Sequence, residues 1–250
     1  MSKQNSAIPP GNRQYIAEQA VASTYDESLS GNPIAEQDAE LLRQYLRDRA
    51  GSRLIDFGCG TGRSMEVAAE CGADVYGVDL SGSMLQKSGE RLKSSSVEPR
   101  LVQSDLTEMP WLCDATFDVA VCFFSTFGML RGRQNRAKFL GEVFRGLRPG
   151  GLLLIHGHRI WHQATFPGGK RWLLFHAVSS VFSKDLEFGD RYSDNRLIRK
   201  LFLHSFTLRS FRNEIASAGF RVDHVHELSE QNSNSDSKRC VGWIIAASKQ

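Results

Sequence analysis

The stretch Leu54-Ile55-Asp56-Phe57-Gly58-Cys59-Gly60-Thr61-Gly62 runs a short apolar segment straight into three glycines spaced two apart. An apolar run of this length bounded by glycine reads as a buried strand, and residues 63–70 continue at helical spacing. Glycines at such a junction let the chain turn tightly and approach a ligand, and the helix N-terminus favours a negative group. A dinucleotide fingerprint needs its third glycine at position 63, where Arg63 stands. A phosphate-cradling loop needs a lysine before Ser or Thr, and none follows. Neither phosphate pattern is met.

The rhythm extends outward from that junction. Residues 35–48 carry apolar side chains at helical spacing ahead of Gly51. Beyond it, strands at 53–57, 74–78, 100–102, 117–123 and 152–155 alternate with helices at 63–70, 84–92 and 136–147. Continuously apolar strands separated by helices of this length predict a parallel sheet covered on both faces. Right-handed crossovers then make it a doubly wound α/β, Rossmann-like sheet. After Ile155 the rhythm breaks for a stretch too long to be a connector. It resumes with a helix at 208–218 and strands at 220–228 and 240–247, joined by a polar loop at 229–238.

Two acids stand in register with the glycine loop. Val75-Tyr76-Gly77-Val78-Asp79 is a second strand ending in a carboxylate at a spacing suited to accepting hydrogen bonds from ribose hydroxyls. Leu101-Val102-Gln103-Ser104-Asp105-Leu106 closes a third strand on another. The D-x-G-x-G-x-G form resembles motif I of the class I S-adenosylmethionine-dependent methyltransferases, small-molecule type. Phe117-Asp118-Val119-Ala120-Val121, Leu147-Arg148-Pro149-Gly150-Gly151-Leu152 and Phe206-Thr207 through Ala218-Gly219-Phe220 resemble later elements of that family in the same order. The resemblance implies a seven-stranded sheet with its last strand antiparallel and S-adenosyl-L-methionine as cofactor. It implies cofactor contacts from Asp56, Gly58, Cys59, Gly60, Gly62, Asp79, Leu80, Asp105, Leu106 and Phe123. Tyr25-Asp26 resembles a Tyr-Asp pair that caps the cofactor in many members, which adds Tyr25.

The acceptor side is read from the tip of the fourth strand, Cys122-Phe123-Phe124-Ser125-Thr126-Phe127-Gly128. The Asn/Asp-Pro-Pro-aromatic motif of base-amino methyltransferases is missing, and no proline precedes a cysteine. Ser125 and Thr126 are candidate acceptor contacts, with a plain loop role as the alternative. His156, His158 and His162 follow the fifth strand at the edge where doubly wound sheets bind ligands. His156 and His158 are candidate bases, and His162 and Arg159 candidate substrate contacts, with rim or supporting polar roles as the alternative. No metal signature is evident.

The chain has 250 residues, 31 basic and 28 acidic, for a formal net charge of +3. That balance conceals a basic segment: ten Lys/Arg stand against four Asp/Glu between His156 and Arg212. The segment also carries Trp161, Phe166, Trp172 and Phe175. A basic, aromatic-bearing cover fits an anionic or aromatic small molecule, or single-stranded RNA, or a merely solvated face. The five cysteines lack a C-x-x-C pair and read as reduced thiols in a cytosol. No apolar run approaches a membrane span. Residues 4–12 read as a flexible arm.

One methyltransferase domain is therefore expected, with an N-terminal arm or cap (1–34), a cofactor-binding core (35–156), an inserted substrate cover (157–203) and a C-terminal helix and strands (204–250). Its expected activity is methyl transfer to oxygen or nitrogen of a small molecule in the cytoplasm, as a monomer or homodimer without a membrane partner. An RNA methyltransferase using the basic segment and a non-catalytic cofactor-binding subunit are the alternatives.

Overall fold

A computed structural model describes residues 8–183, 186–195, 198–231 and 238–250. Its central sheet has seven strands in the order β3-β2-β1-β4-β5-β9-β8. These are β1 (Arg53–Phe57), β2 (Asp74–Asp79), β3 (Leu101–Gln103), β4 (Phe117–Cys122), β5 (Leu147–His158), β8 (Phe220–Gln231) and β9 (Lys238–Lys249). The first five run parallel, and β9 inserts antiparallel between β5 and β8. The order reverses between β1 and β4, so their carboxyl ends open the crevice in which doubly wound sheets hold ligands.

Side-chain alternation splits the core in two. One face buries Ile55, Phe57, Ala120 and Ile155, and the other Leu54, Val119, Val121 and Leu154. On the second face lies α3 (Pro33–Leu46), started by Asn32, whose side chain accepts from the Ile34 and Ala35 amides. Leu42 is fully buried and Leu46 nearly so, each contributing about 2 kcal/mol of apolar transfer. The first face is filled by stacked aromatics, with Phe127 and Phe206 ring centres 5.4 Å apart and Phe206 and Phe211 4.9 Å apart.

Residues 10–12 of the expected arm are helical, and residues 4–7 lie outside the described part. Two helices form here, α1 (Pro10–Ala17) and α2 (Gln19–Leu29). Pro10 supplies a preset φ at the first helical position. Asn12 is buried and exchanges a pair of hydrogen bonds with the Phe202 backbone (3.1 and 2.8 Å), taking the place of a strand neighbour. The expected loop at 229–238 is also shortened, because β8 continues to Gln231 and β9 resumes at Lys238.

The insertion holds a 3₁₀ turn (Ile160–Thr165), α8 (Gly169–Phe182) and a separate hairpin of β6 (Asp190–Asn195) with β7 (Ile198–His204). It is fastened to the core by Arg136 of α7 (Arg133–Gly146), whose side chain is fully buried. That guanidinium forks onto Glu214 of α9 (Leu208–Ser217) at 2.8 and 2.9 Å and reaches Glu187 at 2.6 Å.

Candidate active site

The glycine loop decides where a ligand can approach. Gly58 has φ +77°, and a methyl group there would overlap Thr126 Cγ2 and lie 2.5 Å from its Oγ1 and 2.9 Å from its Cβ. Only a residue without Cβ lets the loop after β1 meet the short helix α6 (Thr126–Met129) this closely. Asp79, at the tip of β2, has both carboxylate oxygens fixed by backbone donors: Gly60 N to Oδ2 at 2.9 Å and Ser81 N to Oδ1 at 2.8 Å. Burial nevertheless pushes its pKa above the ordinary carboxylate range, against the pull of those amides.

A cavity opens between these loops. Gly58, Gly60, Asp79, Leu80, Asp105, Leu106, Thr126 and Tyr25 line it, together with Tyr15, Met84, Phe124 and Met129. Asp105 is held by an Asx turn, its Oδ1 accepting from Thr107 N and Oγ1, both at 2.8 Å. Carboxylates at the strand tips, flanked by apolar walls, match a polar ribose joined to a flat heteroaromatic ring. At Gly60 a Cβ would meet nothing nearer than Tyr25 Cε1 at 3.9 Å, so the bare backbone faces open space beneath a phenol ring. This donor set and cradle fit S-adenosylmethionine.

The remaining expected cofactor residues sit behind that wall. Asp56 is buried in β1, and burial together with the Asp79 charge pushes it up to about 8. Cys59 is buried beside Met65, and Gly62, at φ +82°, packs on Ser88. Phe123 points into the core at 5% exposure, and Phe124, at φ +49°, lines the cavity. Phe124 and Ser125 both adopt positive φ, an arrangement costly for residues with side chains. Those two turns swing successive side chains to unexpected sides, which strand alternation could not reveal.

The lid over the cavity is built by α1 and α2. Tyr15 and Tyr25 hydrogen-bond to each other, and burial raises both phenols, Tyr25 to about 12. Asp26 takes hydrogen bonds from Thr61 Oγ1 at 2.6 Å and Arg91 Nη2 at 2.7 Å, tying α2 to the glycine loop. Ser81 Oγ donates to the Ile16 carbonyl at 2.8 Å, tying α1 to the loop after β2. Arg91 and Asn12 were not legible in the sequence because their partners lie far along the chain, and Asp26 was named there only as part of the Tyr-Asp pair.

Next to the cavity, Ser125 Oγ and His158 Nε2 form a short hydrogen bond. Burial and the neighbouring His156 hold His158 well below its ordinary pKa, so its ring is neutral near pH 7. His156 is fully buried, its ring centre 4.9 Å from that of His158, and its Nδ1 lies 3.5 Å from Asp38 Oδ2 of α3. Thr126 belongs to the cavity wall, whereas Ser125 turns to the histidines.

Farther along, His162 Nε2 lies 3.5 Å from Glu230. Among the described residues, the buried Nε atoms of Arg159 and Arg191 and Nδ1 of His162 have no hydrogen-bond partner. Burial lowers the pKa of Arg191. The basic residues of the insertion thus divide: Arg159 and Arg191 are half-buried, while Lys170 and Arg171 are exposed on α8. Glu187, His204 and Glu214 also converge, outside this cavity. Arg136 already neutralises both carboxylates there, and His204 Nδ1 is engaged by Asp190 at 2.7 Å.

Residues 55–155 match the methyltransferase domain family. The matched residues run from β1 to β5 of the doubly wound, Rossmann-like sheet and resemble a methyltransferase domain there. The chain is 33% identical over 151 residues to YqeM of Bacillus subtilis (strain 168), covering 60% of this chain and 59% of that protein. It is 36% identical over 123 residues to a demethylmenaquinone methyltransferase of Tropheryma whipplei (strain Twist), covering 48% of each. The chain thus spans about half to three-fifths of those relatives. Among solved structures, the Burkholderia thailandensis 1,6-didemethyltoxoflavin-N1-methyltransferase, crystallised with 1,6-didemethyltoxoflavin and S-adenosylhomocysteine, superposes with TM-score 0.64 at 16% identity. That match covers 96% of this chain and 90% of the other.

Proposed function

We propose that this protein is an S-adenosylmethionine-dependent methyltransferase acting on oxygen or nitrogen of a small molecule that bears an anionic group. One observation carries the reading: the cavity bounded by Asp79, Asp105 and the glycine loop shares the β4 tip with the Ser125–His158 pair. Bound there, S-adenosylmethionine supplies a methyl group already activated by its sulfonium.

The residues around it have to align donor and acceptor and exclude water. Asp79 and Asp105 accept from the ribose and the adenine amino group, the glycine loop admits the methionine portion, and Tyr15, Tyr25 and Phe124 close over it. Ser125 and His158 stand where an acceptor O–H or N–H would give up its proton, and a neutral imidazole can take it. His156, buried 3.5 Å from Asp38, packs its ring edge-on against that of His158. Arg159 and Arg191, whose buried Nε donors lack partners among the described residues, are the groups to pair with an acceptor carboxylate or phosphate. The relatives named as methyltransferases and the likeness to an N1-methyltransferase crystallised with a small heteroaromatic substrate support the same class.

Calorimetric titration with S-adenosylhomocysteine, followed by labelled S-adenosylmethionine with fractionated metabolites, tests this. Asp79→Ala is expected to weaken cofactor binding about a hundredfold, through loss of a charge-assisted acceptor pair and of the Gly60 and Ser81 anchors. His158→Gln is expected to lower kcat by about 10²–10⁴ with cofactor affinity unchanged. Failure of the intact protein to bind S-adenosylhomocysteine refutes the reading.

A further inference from the structure

Helix α8 presents one face that no described residue covers. Leu174 and Phe175 are each 71% exposed, Val178 53%, Val181 78% and Phe182 85%. At about 100° per residue these five fall within one arc of about 120°, a single stripe along the helix. The opposite side buries Leu173 and His176. Trp161 on the preceding 3₁₀ turn and Phe166 just after it are also about half exposed, at 47% and 51%. Single exposed apolar side chains are ordinary, but a contiguous stripe of Leu, Phe and Val marks an interaction site.

The charge pattern identifies the partner. Lys170 and Arg171 are exposed at the start of the helix, and residues 156–183 contain no Asp or Glu. We propose that α8 is an interfacial helix that seats this stripe in the headgroup region of an anionic lipid bilayer. Apolar side chains enter the acyl boundary while the long basic side chains reach back to lipid phosphates. A second copy on the same face would bring two such cationic sets together without an acid in the segment to pair them. At 14 residues the helix is about 21 Å long, short of the ~30 Å hydrocarbon core, so it lies on the surface and does not span. This departs from the expectation of no membrane partner, which rested on the lack of an apolar run long enough to span. That criterion did not address a helix lying flat. The proposal is independent of the methyltransferase reading.

Co-sedimentation of the full chain with vesicles of phosphatidylcholine, alone or mixed with phosphatidylglycerol, decides it. Binding to the mixed vesicles is expected, weaker on phosphatidylcholine alone and weaker again at high salt. Leu174→Gln/Phe175→Gln/Phe182→Gln should reduce it by about a hundredfold or more, and Lys170→Gln/Arg171→Gln by about thirtyfold. All five positions are exposed, so circular dichroism should be unchanged in both variants. No binding to either vesicle, or undiminished binding by the triple variant, overturns the proposal. Equal binding to both vesicle types removes its anionic part. A dimer dispersed by the triple variant, without vesicle binding, assigns the face to a second copy instead.

Discussion

Replacing Gly58 by alanine tests how the glycine loop and the β4 tip fit together. Two costs arise. The backbone at φ +77° is left-handed, which costs a residue with Cβ about 1–2 kcal/mol. The new methyl group also overlaps Thr126, lying 2.5 Å from Oγ1 and 2.9 Å from Cβ, and overpacking of this kind costs about 1–3 kcal/mol. Their sum, about 2–5 kcal/mol, corresponds to a fall in Tm of about 4–20 °C for a chain of this size. Thr126→Ala removes the two side-chain atoms beyond Cβ and leaves the strained φ untouched. In Gly58→Ala/Thr126→Ala most of the overpacking part should therefore be recovered, while the 2.9 Å approach to Cβ and the backbone part persist. Thermal unfolding of the four proteins measures the cycle, and S-adenosylhomocysteine titration follows whether affinity is lost and recovered in parallel. A Gly58→Ala protein within 1 kcal/mol of wild type, or effects of the two substitutions that simply add, would refute the close contact as the reason for glycine.

The other predictions concern buried charge. Asp56, pushed up to about 8, stays protonated in the folded protein where the unfolded chain is ionised. The contribution of this group should then be fully present below about pH 4 and fall as pH rises from there through about 8, by at most about 6 kcal/mol. Tm against pH should show that decline in wild type and a flatter profile in Asp56→Asn. Arg136→Met strands Glu214 in a nearly buried position and should destabilise by about 3–5 kcal/mol in urea unfolding. Adding Glu214→Gln should recover part of the loss. Thr61→Val deletes the hydrogen bond to Asp26 that holds α2 over the glycine loop. Cofactor dissociation should quicken several-fold in stopped-flow, at a cost of about 1 kcal/mol in stability.

Much of this was legible along the chain because the signals are local. The alternation of apolar strands and helices required a parallel sheet, and a glycine loop followed by acids at the next two strand tips required a crevice for a ribose-bearing ligand. The antiparallel final strand and the cofactor came from resemblance, and both agree with the fold and the family match. The acceptor side was less legible. Phe123 was named from the family resemblance, whereas Phe124 lines the cavity because it and Ser125 have positive φ, which strand alternation along β4 does not reveal. The arm at 4–12 was read from its Pro, Gly and polar content, yet Asn12 is buried because the Phe202 backbone supplies the partners its amide needs.

What the sequence determined by itself is the sheet, its switch point and the chemistry of the loops that meet there, since period, glycine spacing and strand-end acids are written in neighbouring residues. Tertiary structure alone decided which polar and charged groups are buried together. Asp38 and His156 stand 118 positions apart in sequence, as Arg136 and Glu187 stand 51 apart, and only packing sets them at 3.5 and 2.6 Å. It also decided which side of α8 faces outward. That helix is apolar on both sides, so its pattern has no preferred direction, and only its seat on the 3₁₀ turn leaves Leu174, Phe175 and Phe182 exposed.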